Sequence, residues 1–283
     1  MKYLNLGCGS RFHTDWTNIN FVSTSESVIA HDLSQGIPFS DESFDVVYHS
    51  HVLEHFPQSV AASFLKECCR VLRPQGILRV VIPDLEQIAR TYLYALEQAV
   101  NGSKEWEQNY QWILLEMYDQ TVRDRPGGKM QEFLSNKDIA NPDFAIERCG
   151  VEIKNIILAA RQDNTSQISV VEPSFKKILK HIYRFFRYAE YRYQSIIKFA
   201  LRPQELNALQ LGQFRQSGEI HQWMYDRYSL SLLLKSCGLE EIAKKSASES
   251  SISNWASFNL DTEVDGSIYK PDSIYMEARK PVT

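Results

Sequence analysis

The feature that most constrains this chain lies at its start. A short apolar run, Tyr3-Leu4-Asn5-Leu6, passes directly into Gly7-Cys8-Gly9. Further strand-like runs follow at Thr17–Phe21, Val28–His31 and Phe44–Tyr48. From Val60 to Leu72 the apolar positions Ala61, Phe64, Leu65, Cys68 and Leu72 recur at three- and four-residue steps, which predicts an amphipathic helix. Arg73-Pro74-Gln75-Gly76 is expected to end it, and Ile77–Ile82 reads as a strand buried in a parallel sheet. Strands alternating with crossovers specify an open α/β sheet. Ligands of such sheets sit at the carboxyl ends of the strands. There, Gly7-Cys8-Gly9 lets backbone approach a ligand closely and expose its amide N–H groups. Neither a P-loop nor a complete G-x-G-x-x-G is present, because position 12 is Phe, which disfavours pyrophosphate cofactors.

The β signal fades over residues 85–225. Leu85, Ile88, Ala89, Tyr92, Leu96, Ala99 and Val100 mark one helix face, and more helix is expected over Trp106–Tyr118. A long amphipathic helix is expected over Pro173–Arg202, burying its Phe/Ile stripe. The pattern then returns to α/β, with helix over Tyr228–Cys237 and strands at Leu239–Ala243 and Ser273–Ala278. This organisation predicts one sheet domain built from 1–84 and 226–283, interrupted by a helical insertion over 85–225.

Composition narrows the functional classes. With 283 residues, 43% hydrophobic and 23% charged, the chain can bury a large core. Its 31 basic and 35 acidic side chains leave a net charge of −4, so nucleic acid is not an expected partner. Five cysteines without a C-x-x-C pair suit a reducing compartment. No apolar run reaches membrane-spanning length, and the first strand begins too early to leave room for a leader. The expected localisation is cytoplasmic.

Several segments together are more specific than any alone: Leu4–Gly9, His31-Asp32-Leu33 with Pro38-Phe39, Ser43–Val47, Ser50-His51-Val52-Leu53-Glu54-His55, Arg70–Gly76 and Val81-Ile82-Pro83-Asp84. This stretch resembles the class I S-adenosylmethionine-dependent methyltransferases, in the methyltransferase type 11-like branch. Weaker likeness continues in His221–Asp226 and Lys270–Tyr275, and in Tyr118-Asp119-Gln120 with Arg123 and Gly127-Gly128, which looks like a lid segment. The resemblance implies a doubly wound, Rossmann-like sheet of seven strands, with S-adenosylmethionine as cofactor. By it, Gly7, Cys8 and Gly9 would lie at the methionine part and Asp32 and Leu33 at the adenine. His49 and Ser50 would line the methionine pocket. Where the family usually holds both ribose hydroxyls with a carboxylate, this chain has Asn20, which is expected to weaken cofactor binding.

Methyl transfer needs an aligned acceptor and, for some acceptors, a base. His51 is the first candidate, since His titrates near neutral pH; a purely structural helix-start role is its alternative. His55 and Asp84 follow, with Asp84 also suited to cap the helix after it. Tyr118, Arg123, His221 and Tyr225 are expected at the acceptor, which would be a small molecule, glycan or peptide side chain methylated on O or N. No metal is expected in this reading. Two rivals remain. His51-Val52-Leu53-Glu54-His55 also matches H-x-x-E-H, a zinc hydrolase pattern. The basic and tyrosine-rich helix 173–202 suits an anionic partner of a non-catalytic cofactor-binding protein, or pairing as a homodimer.

Overall fold

The computed structural model describes residues 1–136, 138–162, 183 and 186–282. Seven strands form one sheet: β1 (Tyr3–Leu6), β2 (Thr17–Asn20), β3 (Val28–Ala30), β4 (Phe44–Ser50), β5 (Leu72–Pro83), β6 (Glu240–Lys245) and β7 (Ser273–Arg279). Their order is β3-β2-β1-β4-β5-β7-β6, with β7 antiparallel to both its neighbours and the other pairs parallel. The expected seven-stranded α/β sheet is therefore present. Strand β5 starts at Leu72, before the expected breaker. Between the pairs Phe44–Leu72 and Val46–Ile77 the register shifts, so 73–76 bulges out, with Gln75 at φ 63° and Pro74 lacking a donor.

The two faces of the sheet are covered differently. On one, α1 (Gln58–Val71) buries Ala61, Phe64, Leu65, Cys68 and Val71. These pack with Leu4, Leu6, Val47, Leu78, Val80 and Ile274, and with Leu230 and Leu234 of the later helix Arg227–Ser236. The other face is covered by the segment 246–269, whose Ile252, Trp255, Phe258 and Leu260 pack on Trp16, Tyr48, Val81 and Tyr275. The crossover from β1 to β2 contains no helix. Instead, Asn5 Nδ2 donates to Arg11 O and Asn18 Oδ1, while Asn18 Nδ2 donates to Trp16 O and His13 O. Two buried strand asparagines thus satisfy backbone carbonyls that a helix would otherwise pair.

After β5 the chain runs through α2 (Leu85–Val100), α3 (Lys104–Val122), α4 (Gly128–Ser135), α5 (Pro142–Cys149) and α6 (Val151–Gln162). Trp112, Met130, Leu134, Ala145, Cys149, Ile153 and Ile157 form a second core among them. Of the expected helix 173–202, residues 173–182, 184 and 185 lie outside the described residues. Its described residues include α7 (Ala189–Ala200), which is followed by a separate α8 (Pro203–Arg215), and α9 (Arg227–Ser236) returns the chain to the sheet. On α7, Ile196 and Phe199 are exposed rather than buried. Among the described residues, no helix is long and apolar enough to cross a membrane, and all five cysteines are free.

Candidate active site

The glycine turn after β1 is fixed by its own backbone. Gly7 has φ 64°, and an added Cβ would overlap Val52 Cγ2, so only glycine fits. Cys8 N donates to Ile19 O at 3.0 Å, and Gly9 N donates to Asn20 Oδ1 at 3.2 Å. The Cys8 and Gly9 amides are thus engaged within the protein, so this turn offers room more than donors. Asn20 is a positioning residue for the turn, and its Nδ2 donates to Val22 O. Burial pushes the Cys8 thiol up to about 11.

Beside this turn lies a cavity of about 200 Å³, walled by Gly7, Cys8, Gly9, Ser10, Arg11, Tyr48, Ser50, His51, Tyr269 and Lys270 among others. Of the expected cofactor residues, Gly7, Cys8, Gly9 and Ser50 line this cavity. Asp32, Leu33 and His49 do not line this cavity. Asp32 caps the short turn Leu33–Gln35 by accepting from Ser34 N at 2.9 Å, and those Ser34 hydrogen bonds lower its pKa. His49 is fully buried, with its ring edge against Phe64 and neither ring nitrogen paired. Burial brings its pKa down to about 3, which keeps it neutral. Strand alternation explains this: His49 points to the helix-covered face, whereas its neighbours Tyr48 and Ser50 point to the cavity side.

A second cavity, of about 450 Å³, lies under α3, α4 and α6. Met130, Leu134, Ile153 and Ile156 form its apolar wall, and His51, His55, Gln120, Arg123, His221, Lys270 and Asp272 are among its polar lining. The two cavities share His51, Glu152 and Lys270. Of the expected acceptor residues, Arg123 and His221 line this space. Tyr118 is exposed on α3, and Tyr225 is buried with its hydroxyl unpaired; neither lines the cavity. Asp84 likewise stands apart: its side chain caps α2 by accepting from Glu86 N and Gln87 N. The lid signature has a physical reading as well. The Asp119 carboxylate accepts from Lys129 N and Met130 N at the start of α4, and a Cβ on Gly128 would overlap it. Arg123 pairs with the same carboxylate at 3.1 Å.

His51 follows β4 in a left-handed conformation, φ 54°, which is costly for a residue with a Cβ. Its N–H donates to Val81 O, its Nε2 lies 2.8 Å from Ser273 Oγ, and its Nδ1 lies 3.3 Å from Glu54 Oε1. Burial, with the charges of Lys270, His221 and His55 around it, lowers its pKa well below the usual value. Glu54 is 1% exposed, and neither carboxylate oxygen has a well-formed hydrogen bond. Burial pushes its pKa up to about 8. The H-x-x-E-H segment is not an α-helix here but a 3-10 turn over Leu53–His55, and His51 turns away to Ser273. The helical two-histidine geometry of the hydrolase pattern is therefore absent. Instead Glu54, His55 and His221 converge, and a second trio, Glu116, Cys149 and Asp272, lies among buried groups. Sequence reasoning missed Lys270, Glu152 and Asp272 as cavity residues. Lys270 and Asp272 fall in the Lys270–Tyr275 likeness, which was the available signal.

Residues 22–80 match the sequence model of the family described as Methyltransferase domain. No curated protein matches the chain. Among solved structures, it is similar to a SAM dependent methyltransferase from Archaeoglobus fulgidus at 11% identity, over 99% of this chain and 86% of that one, with a TM-score of 0.38. It is also similar to 1,6-didemethyltoxoflavin-N1-methyltransferase from Burkholderia thailandensis, solved with bound 1,6-didemethyltoxoflavin and S-adenosylhomocysteine. That likeness is at 19% identity, over 29% of this chain and 44% of that one, with a TM-score of 0.25. A SAM dependent methyltransferase from Aquifex aeolicus matches at 16% identity, over 30% of this chain and 57% of that one, with a TM-score of 0.25. The chain spans only 38% and 44% of the first solved chains that it matches. Likeness at this level assigns no residue a role. Residues 22–80, which lie within the seven-stranded sheet, are thus similar to the Methyltransferase domain family.

Proposed function

We propose that this chain is a cytoplasmic methyltransferase that moves a methyl group from S-adenosylmethionine to an oxygen or nitrogen of a polar acceptor, such as a glycan, specialised metabolite or peptide side chain. Within the expected insertion over 85–225, α3, α4 and α6 would roof the acceptor site. The observation carrying this reading is that the two cavities share His51 and Lys270. A donor held beside the glycine turn and an acceptor held under the helices would meet there.

S-adenosylmethionine, when bound, supplies a methyl group on a sulfonium sulfur that leaves as a neutral thioether. The glycine turn, Cys8 and Ser50 would flank its methionine end, with Lys270 the nearby cation for its carboxylate. Asp32 and Leu33 would meet the adenine. Asn20 serves the site through Gly9. The protein's own chemical part is to align the acceptor and take its proton. His51 is neutral and so able to accept at Nε2, beside Ser273 Oγ, while its Nδ1 faces the Glu54 carboxyl. Arg123, His55 and His221 would orient the acceptor against the apolar wall.

Calorimetric titration with S-adenosylhomocysteine tests this first, with one equivalent bound in the micromolar range expected. Asp32→Ala should weaken that binding. His51→Ala should leave it nearly unchanged while slowing turnover in an acceptor screen. A folded protein that binds no S-adenosylhomocysteine would reject the reading.

A further inference from the structure

The Glu54 carboxylate is the least explained group in the molecule. It is buried to 1% exposure, has no well-formed hydrogen bond at either oxygen, and stands among three histidines; the Lys270 charge acts on it, but among the described residues no arginine or lysine stands at ion-pair distance. Buried carboxylates are normally hydrogen-bonded or matched by a cation. Its backbone is firmly held, since Glu54 O accepts from both Gln222 N and Trp223 N, which draws the segment carrying His221 onto the 3-10 turn. Each of Glu54, His55 and His221 offers one ligand atom within 4.8 Å of the other two.

The histidines are already oriented for coordination. His55 Nδ1 lies 3.2 Å from Ile220 O, and a carbonyl only accepts, so Nδ1 carries the proton and Nε2 keeps its lone pair. Fixing one imidazole nitrogen on a backbone carbonyl is the usual support of a histidine metal ligand. The backbone N–H of His221 is anchored on Gln120 O at 3.0 Å, and its ring meets that of His55 edge-on at 4.9 Å. Both rings open onto the larger cavity, so an ion among them would keep a position for an acceptor atom. We propose that Glu54, His55 and His221 form a binding site for one divalent transition-metal ion at the wall of the acceptor cavity. Two imidazoles and one carboxylate suit zinc or iron(II) better than magnesium. The ion's place is to polarise or orient the acceptor. The second trio has no such need, because Arg148 pairs with Glu116, and the charges of Lys270 and Arg148 act on Asp272.

Metal binding is measurable without a methyl donor, so its outcome is independent of the methyl-transfer reading. The full chain, stripped with a chelator, is titrated with Zn²⁺ against a chromophoric indicator and, separately, with Co²⁺ followed by absorption. One ion per chain is expected, with a cobalt spectrum of nitrogen and oxygen ligation. His55→Ala, His221→Ala and Glu54→Gln should each weaken binding by about 100-fold or more, while Cys149→Ser leaves it unchanged. No stoichiometric binding would overturn the proposal, as would wild-type affinity in a folded His221→Ala. So would a sulfur-to-cobalt charge-transfer band, which would put the ion at Cys149. Should the histidine variants fail to fold, the wild-type stoichiometry and cobalt spectrum still decide.

Discussion

The two faces of the central sheet solve the same problem with opposite chemistry. On the helix-covered face, α1 and α9 bring Phe64, Leu65, Leu230 and Leu234 onto an aliphatic surface, and the stabilisation is non-directional burial. On the other face the centre is Arg79, fully buried in the middle of β5. Its guanidinium pairs with Asp261 and Glu277, each at 2.8 Å, donates to the carbonyls of Ser246 and Glu249, and lies 4.4 Å from the Trp255 ring centroid. Tyr48 donates to the same Asp261 at 2.6 Å. A segment whose regular helix is the single 3-10 turn Trp255–Phe258 cannot present an apolar stripe at fixed spacing. It is held in one place by directional bonds to a single cation. The first face tolerates imprecision, and the second does not.

The sharpest way to break that contrast is Arg79→Met. The change keeps volume but strands two buried carboxylates, which costs about 3–5 kcal/mol. Its signature is in pH. Burial already raises the Asp261 pKa with Arg79 present, while hydrogen bonds from Ser250, Ser251 and Arg79 outweigh burial and keep that of Glu277 lowered; without the cation both rise relative to wild type. The variant's stability is then best at acid pH and falls as pH rises through those raised values. Denaturant melts should show its deficit against wild type narrowing as pH is lowered; a constant deficit would mean that packing, not charge, dominates this face.

Phe64→Ala is the counterpart on the helix-covered face. Phe64 touches the rings of His49 and Phe56, at centroid distances of 5.2 and 4.7 Å. We expect a loss of about 3 kcal/mol from burial and cavity formation. That loss should stay flat between neutral and mildly acid pH, and a strong pH dependence would erase the distinction between the faces.

Asn5→Leu links the polar face to the site. It leaves Arg11 O and Asn18 Oδ1 without their donor, at a cost of about 1–3 kcal/mol. Because Arg11 N in turn donates to Cys8 O at 2.8 Å, the loosened crossover should also reduce S-adenosylhomocysteine affinity. Calorimetry on the folded variant checks this, and unchanged affinity would separate the crossover from the glycine turn.

The same contrast decides what could be read from the sequence. The apolar repeat of α1 and the runs of β1, β4 and β5 specify the helix-covered face directly, because period and burial coincide there. Gly7 was legible since only a residue without a Cβ fits beside Val52. The cover of the other face was not, because Trp255 and Phe258 stand in a Ser- and Asn-rich stretch with no period. Arg79 interrupts an otherwise apolar strand, and that was its one visible trace. His49 illustrates a different limit: a polar residue at a strand end reads as a site residue, yet pleat alternation sends it into the core. Glu54 and His221 lie about 170 residues apart, and the backbone bonds from Gln222 and Trp223, with the His55–Ile220 bond, bring them together.

The smallest expected effect tests whether polar anchoring matters at the edge of the helix-covered face. Arg70 on α1 forks onto Glu67 through two 2.8 Å bonds and donates to Ile37 O and Phe39 O, while Glu67 Oε2 accepts from Ile37 N at 3.0 Å. The Arg70 hydrogen bonds hold the Glu67 pKa below its ordinary 4.5. A lowered folded-state pKa contributes stability that is present above the unfolded value and is lost as pH falls through the folded one. Because this pair is partly exposed, Glu67→Gln should cost less than about 1 kcal/mol at neutral pH. The cost should vanish once the solution is acidic enough to protonate Glu67 in the folded wild type. Parallel melts across that range check it. A cost above that of Asn5→Leu would show that the loop 36–41, not the apolar stripe alone, fixes α1 on the sheet.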